Sequence, residues 1–355
     1  MIKNTMVSVS TSLLALTASL SFATETLPAL EVDTSQVTVS GLSSGAFMTV
    51  QMYMVNSDIM SGAGIVAGGP YLCAKSWDYS SYLTNATTAC MTPLTPASGP
   101  NTPHLIDLTR QLSKSGAIDD PTNLVDDRLY LFSGQADHTV TTTVMNQTYQ
   151  YFVDLGVKED NIQYITSVDA GHALITNDKD DSQCAVTQSP FINYCDIDQA
   201  EDILNHLYSD LAPPSDKPNG NIMEFSQKDF IDSPYTSMSD SGFLYVPKAC
   251  KKGGCRLHVA YHGCLQGYEV IGDLYYTTTG YNAVADANNI VVLYPQAQPS
   301  TNKPFNPQGC WDFWGYSEPH ASNPDFFSKD APQIKAVRAM IDQLAQPVNL
   351  QASKR

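Results

Sequence analysis

Residues 37–50 read VTVSGLSSGAFMTV: an apolar, β-branched run that stops at Gly41, and a second apolar run that resumes after Gly45. Between them stands Gly41-Leu42-Ser43-Ser44-Gly45, a G-x-S-x-G. Such a pentapeptide arises by chance in about one chain in ten of this length, so its flanks carry the information. VTVS has the alternation and branching of a strand, and 46–56 suits a helix. A strand that turns sharply into a helix leaves no room for side chains on either side of the turn, and glycines stand at both places. A serine at the apex is presented at the strand's end, where a base can reach its hydroxyl.

The rest of the chain repeats the alternation. Strands are expected at 35–40, 64–67, 128–132 (RLYLF), 162–168, 242–247, 256–261 and 290–294 (IVVLY). Helices are expected at 46–56, 145–155, 282–287 and 329–345. This pattern predicts an α/β chain with a mostly parallel sheet and helices on both faces. Two stretches punctuate it: the Pro-rich loop 91–103 and the segment LAPPSDKPNG at 211–220, which reads as a linker. No internal repeat or low-complexity tract is evident.

The first residues, MIKNTMVSVSTSLLALTASLSFATE, have the lysine, apolar stretch and Ser21-Phe22-Ala23 cleavage site of a secretory signal, so 1–23 is expected to be removed. No later stretch has the roughly 18 apolar residues of a membrane span. The mature protein is therefore expected to be secreted, extracellular or periplasmic. Eight cysteines, an even number, fit an oxidising compartment: Cys73, Cys90, Cys184, Cys195, Cys250, Cys255, Cys264 and Cys310. No C-x-x-C occurs, so neither a zinc ribbon nor a thioredoxin-like site is suggested. Of the 105 possible connectivities, neighbour with neighbour is the expectation. The formal net charge is −17. Such a surface repels nucleic acid and anionic lipid, which excludes both as expected partners. Asn85 and Asn146 begin N-x-T acceptor sequences, relevant only in a eukaryotic secretory host.

A serine nucleophile needs a histidine base, and the base needs an orienting carboxylate. LYLFSGQADHTV places Asp137 just past one strand, and ITSVDAGHALIT places His172 just past another. Active groups of open parallel sheets gather at the carboxyl ends of strands. The order Ser43, Asp137, His172 is that of an α/β-hydrolase. Among rivals, His138 adjoins the acid, His258 lies within a strand pattern, and His104, His206 and His320 read as surface or loop residues. Asp169, close to His172, competes with Asp137 but lacks its strand–loop placement.

An oxyanion hole takes one N–H from the residue after the nucleophile, Ser44, and a second from a loop that normally precedes the nucleophile strand. Almost no mature chain lies upstream of Ser43. The candidate is downstream, in CRLHVAYHGCLQGY, where a strand ends in His262-Gly263-Cys264 and Cys264 would supply the N–H. A late oxyanion strand implies a circularly permuted α/β-hydrolase, with 211–220 joining the old ends.

Together SGLSSGAFMTVQ, SGQADHTV, DAGHALIT, YHGCLQGY and NPQGCWDFWGY resemble the secreted polyhydroxybutyrate depolymerases, above all their single-domain, circularly permuted type. The motifs run from about residue 35 to residue 316. The resemblance implies a serine esterase acting on poly(3-hydroxybutyrate) or its oligomers, with Ser43 as nucleophile, His172 as base and Asp137 as orienting acid. It implies no metal and no organic cofactor. It places Trp311, with Trp314 or Tyr316, beside Ser43 as walls of a substrate crevice. A Cys264–Cys310 bridge would hold that aromatic segment against the oxyanion loop. Residues 24–355 are expected to form a single catalytic domain and to act as a monomer, without the separate polymer-binding domain that many secreted depolymerases carry. Two other readings use the same features: a feruloyl or acetyl-xylan esterase, and a catalytically silent binding protein on a hydrolase scaffold.

Overall fold

The computed structural model describes residues 25–348; the expected signal segment 1–23 lies outside them. Its frame is an eight-stranded sheet. In chain order the strands are β1 (Asp33–Leu42), β2 (Met60–Val66), β3 (Arg128–Phe132), β4 (Ile162–Ile165), β5 (Leu174–Thr176), β6 (Ser182–Gln183), β7 (Ile192–Tyr194), β8 (Asn221–Ser226), β9 (Ser241–Val246), β10 (Arg256–Tyr261) and β11 (Ile290–Tyr294). The large sheet has the order β4-β3-β2-β1-β10-β11-β9-β8; β5, β7 and β6 form a separate small sheet. Every pairing in the large sheet is parallel except those of β9, which runs antiparallel to both β11 and β8.

The alternation in VTVS and RLHVAY explains why β1 and β10 lie side by side in the middle. Their register pairs Val39 with Val259 and Thr38 with His258. Val37, Val39, Leu257, Val259 and Tyr261 face one apolar core. Leu42 and Ala260 face the other. On the first face lies α1 (Ser44–Val55), all of whose residues are buried, together with the helix Pro332–Leu344. The opposite face is covered by the helix Gln199–Tyr208 through Ile203, Leu204 and Leu207. This is the α/β-hydrolase architecture in permuted form: the strand that leads into Ser43 comes first in the chain, and its neighbour β10 comes near the end.

Some elements differ from the sequence reading. The Pro-rich stretch gives way at Thr102 to the helix Thr102–Ser115, because Pro103 sits in its first turn, where a missing N–H costs no hydrogen bond. The strand expected to reach 168 stops at Ile165, and the next residues turn into the His172 loop. All eight cysteines are bridged, neighbour with neighbour: Cys73–Cys90, Cys184–Cys195, Cys250–Cys255 and Cys264–Cys310. Among the described residues, no helix is long and apolar enough to cross a membrane.

Candidate active site

Ser43 is the one residue between the end of β1 and the start of α1. Its backbone sits at φ 58°, ψ −124°, a conformation that costs a non-glycine residue about 1–3 kcal/mol. The turn is held from both sides. Ser43 N–H donates to the Val66 carbonyl at 3.0 Å, and the Ser43 carbonyl accepts from Ala46 and Phe47 at 2.9 and 3.0 Å. A side chain at Gly45 would collide with the carbonyl oxygens of Tyr261 and His262, so glycine there lets α1 press against the end of β10. The Ser43 hydroxyl makes no hydrogen bond to another described residue and opens into a crevice of about 240 Å³.

Asp137 follows β3 and is buried. Its Oδ1 accepts the N–H groups of Thr139 and Val140 at 2.8 and 3.0 Å. Its Oδ2 lies 2.7 Å from His172 Nδ1. A carboxylate only accepts, so it selects the tautomer with the proton on Nδ1 and leaves Nε2 with a free lone pair. The loops are packed backbone to backbone: Gln135 and Ala136 donate to the carbonyls of Val168 and Ala170 at 2.9 and 3.1 Å. Gly134 and Gly171 both lie where a side chain would collide with a neighbouring carbonyl. His172 N–H donates to Thr187 Oγ1 at 2.9 Å, which ties the histidine to the segment closed by Cys184–Cys195. Asp169 is exposed, as is His138, and neither is bonded to His172. His258 is fully buried between Thr38 and Ser40, bonded to their hydroxyls at 2.7 and 2.8 Å, and burial pushes its pKa down to about 3.

The end of β10 is the neighbour of the serine turn. Gly41 pairs with Tyr261, and a side chain on Gly263 would stand 3.4 Å from Ser43 Cβ. Gly263 N–H is taken by Gln266 Oε1 at 2.8 Å and Leu265 N–H by the Gln308 carbonyl at 2.7 Å. Cys264 N–H, between them, has no acceptor among the described residues, nor does Ser44 N–H at the start of α1. Two unpaired N–H groups thus flank the serine. Ser44 Oγ accepts from Trp311 N–H at 3.2 Å, and Cys264–Cys310 ties the loop after β10 to the same aromatic segment.

The aromatic side chains are sorted differently from the expectation. Trp311 is fully buried, edge-on to Tyr261 at 5.1 Å, and does not line the crevice. Tyr316 is also turned inward, and its hydroxyl donates to the Cys310 carbonyl at 2.5 Å. Trp314 alone of the three expected wall residues lines the crevice, beside Phe313, which stacks on Phe47 at 4.0 Å. Leu83, on the short helix Tyr82–Thr87, and Phe305, on a loop, complete the apolar walls and are exposed at the mouth.

No protein-family model matches the chain. It is 34% identical over 340 residues to a polyhydroxybutyrate depolymerase of Talaromyces funiculosus, covering 91% of this chain and 92% of that one. The chain belongs to the polyhydroxybutyrate depolymerase family. Another family member, the poly(3-hydroxybutyrate) depolymerase of Delftia acidovorans, is 40% identical over 325 residues; this chain spans 61% of its length. The crystal structure of PHB depolymerase from Penicillium funiculosum superposes with a TM-score of 0.78 at 33% identity, covering 90% of this chain and 98% of that one. A PHB depolymerase variant complexed with an R3HB trimer gives the same score at 31% identity, again over 90% and 98% of the two chains.

Within this depolymerase-family chain, Asp312 organises the aromatic loop, a role the sequence reading missed. Its Oδ1 accepts from Trp314, Gly315 and Tyr316, and its Oδ2 from the Ser317 N–H and hydroxyl, at 2.6–3.2 Å. Burial raises its pKa, against the pull of these donors. The turn it enforces swings Trp314 outward after Trp311 has gone inward. The G-C-W-D-F-W-G-Y spacing holds the signal, since an aspartate ahead of a glycine often folds the backbone onto its own side chain. Among the described residues, no group of three or more His, Cys, Asp or Glu is placed to hold a metal.

Proposed function

We propose that this chain is a serine esterase that hydrolyses ester bonds of poly(3-hydroxybutyrate) or its oligomers. The observation that carries the reading is that three features occur together in one member of this family. They are a serine on a strained strand–helix turn, an Asp137–His172 pair at 2.7 Å, and two unpaired backbone N–H groups beside the serine. In the proposed mechanism His172 Nε2 takes the Ser43 proton as Oγ attacks the ester carbonyl. Asp137 holds the tautomer and stabilises the imidazolium. The Ser44 and Cys264 N–H groups stabilise the oxyanion, where one donor is worth about 10²–10³ in rate. His172 then protonates the leaving alkoxide, and the acyl-enzyme is cleaved by water that His172 activates. The product is a hydroxy acid or a shortened chain.

The apolar crevice suits the methyl and methylene groups of a hydroxybutyrate unit, with Trp314, Phe313 and Phe305 as ring surfaces. A PHB depolymerase of the same fold was crystallised with an R3HB trimer, which supports the same polyester here. We further propose export after removal of 1–23, with 24–355 acting as one monomeric catalytic domain and 211–220 as the permutation linker. Four disulfides support the oxidising destination.

The test is hydroxybutyrate release from amorphous poly(3-hydroxybutyrate) by the mature protein and by Ser43→Ala, with a p-nitrophenyl ester assayed in parallel. Wild-type release that Ser43→Ala lacks is the expected outcome. Full activity in Ser43→Ala overturns the mechanism. Cleavage of the p-nitrophenyl ester without polymer release moves the substrate to soluble oligomers or to feruloyl or acetyl esters of plant-wall polysaccharide.

A further inference from the structure

His262 is fully buried one residue before the proposed oxyanion loop, and nothing in the mechanism above uses its side chain. Both of its ring nitrogens are engaged. Nε2 lies 3.0 Å from the backbone N–H of Ala297, which can only donate. Nε2 must therefore accept and carry no proton. The ring's single proton is on Nδ1, which lies 2.7 Å from the Gly263 carbonyl oxygen and donates to it. A protonated ring would turn an N–H against the Ala297 N–H. The burial that pushes the His262 pKa down to about 4 keeps the ring neutral at pH 7.

The Gly263 carbonyl belongs to the same peptide unit as the Cys264 N–H. In a trans peptide the two point in opposite directions, so holding one aims the other. Three successive peptide units make up this loop. The first is fixed through Gly263 N–H on Gln266 Oε1, whose amide in turn donates to the carbonyls of Pro190 and Phe191 at 3.1 and 3.0 Å. The third is fixed through Leu265 N–H on the Gln308 carbonyl. The middle unit has its N–H without an acceptor among the described residues, and its carbonyl is bonded to the ring of His262. Rotation of that one unit would swing the donor away from Ser43, and the His262 bond opposes the rotation.

We propose that His262 is a positioning residue for the esterase reaction: its Nδ1–H holds the Gly263 carbonyl and so points the Cys264 N–H at the oxyanion. This rests on the proposed function, and specifically on Cys264 as an oxyanion donor. Its effect belongs to the transition state, because the charge that the N–H meets develops only there.

Two substitutions separate positioning from packing. Asn places an amide nitrogen where Nδ1 stands and loses the bond to Ala297. Gln places a polar group where Nε2 stands and loses the donor to Gly263. Both are folded variants only if circular dichroism and four intact disulfides match wild type. On a soluble p-nitrophenyl ester, His262→Gln should lower kcat by about 10–10²-fold with KM changed less than about threefold, less than the roughly 10²–10³ for outright loss of an oxyanion donor because the N–H is misaimed and not removed. His262→Asn should recover to within about fivefold of wild type. Equal losses in the two variants, or no loss in either, would overturn the proposal. If neither variant folds, the wild type still decides: ¹⁵N spectra of its histidine side chains at pH 7 should show His262 protonated at Nδ1 alone. A proton on Nε2 refutes the geometry on which the idea depends. Full activity in Ser43→Ala would instead refute the underlying esterase mechanism, and an Ser43-dependent esterase indifferent to His262→Gln would refute only the positioning role.

Discussion

Replacing Asp137 with Asn tests the site through a change of one atom. Asp137 Oδ1 accepts two backbone N–H groups and Oδ2 faces His172 Nδ1. An amide has one oxygen for these two positions. Turning the oxygen toward His172 would set the NH₂ against Thr139 and Val140, leaving two buried donors unpaired at roughly 1–3 kcal/mol each. Turning it toward the backbone keeps both bonds and puts the NH₂ on His172. The ring must then accept at Nδ1 and carry its proton on Nε2, the nitrogen that should receive the Ser43 proton. A change of imidazole tautomer is cheaper than two lost hydrogen bonds, so the second arrangement prevails. The expected result is a fall in kcat of about 10⁴-fold, the size seen when a triad histidine is held in the wrong tautomer. That is about 5 kcal/mol of transition-state stabilisation. The assay is kcat at pH 7 on a p-nitrophenyl ester, with Tm alongside. Tm should stay near wild type, since the two backbone bonds survive. Asp169→Asn, on the exposed rival, should stay within about twofold, as surface changes usually do. Asn at 137 with kcat within tenfold of wild type would refute the assignment of the acid.

Three further outcomes follow from the packing and the buried charges. Gly45→Ala should destabilise the fold by at least about 2 kcal/mol, because the new methyl meets the Tyr261 and His262 carbonyls, which belong to backbone and cannot step aside; a thermal melt indistinguishable from wild type would contradict this. Removing Cys264–Cys310, which closes 46 residues, should cost about 4 kcal/mol on the chain-entropy relation, whereas removing Cys250–Cys255, which closes 5, should cost about 2; urea melts of the paired Cys→Ser variants should rank them in that order. His258 has its folded pKa lowered by burial to about 3, below the ordinary value of 6.5, so its contribution is complete above pH 6.5 and falls away as pH drops toward 3. The stability cost of His258→Asn should therefore be smaller at pH 5 than at pH 7, by about 2 kcal/mol, and an equal cost at both would show that the ring is not kept neutral by the fold.

What could be read from the sequence was short-range. The Ser43 turn is spelled by five consecutive residues, and Asp137 and His172 each follow directly on a strand with a glycine close by. The central strands β3, β10 and β11 were legible to the residue because both ends change abruptly from apolar to polar or turn-forming side chains. The small sheet was not, since strands of two or three residues are too short to show a period. β8 was hidden because Ile222 is exposed on it and its apolar residues do not alternate cleanly. Trp311 was misplaced for a different reason. Its aromatic character is visible in the chain, but the side of the backbone on which the ring falls depends on Ser44 Oγ holding its N–H and on Asp312 bending the residues that follow. The walls at Leu83 and Phe305 come from a short helix and a loop whose meeting point only the folded sheet decides. His262 carries no sequence signal beyond the His-Gly pair, because its tautomer is set by Ala297, on the far side of β11.

The neighbouring position of β1 and β10 has a consequence for biosynthesis. Thr38 and His258 touch across 220 positions of sequence. A ribosome delivers β1 to β4, Ser43, Asp137 and His172 long before it delivers the loop that ends in Cys264. Until then β1 is an edge with its hydrogen-bonding groups open, and half of the sheet has nothing to close on. Contacts this distant along the chain also slow the folding search. A nascent or truncated chain would therefore hold all three reactive side chains and lack one oxyanion donor. On the proposed mechanism, the missing donor alone would leave such a chain about 10²–10³-fold slower, so full hydrolytic rate waits until the last third of the chain has been made and has docked.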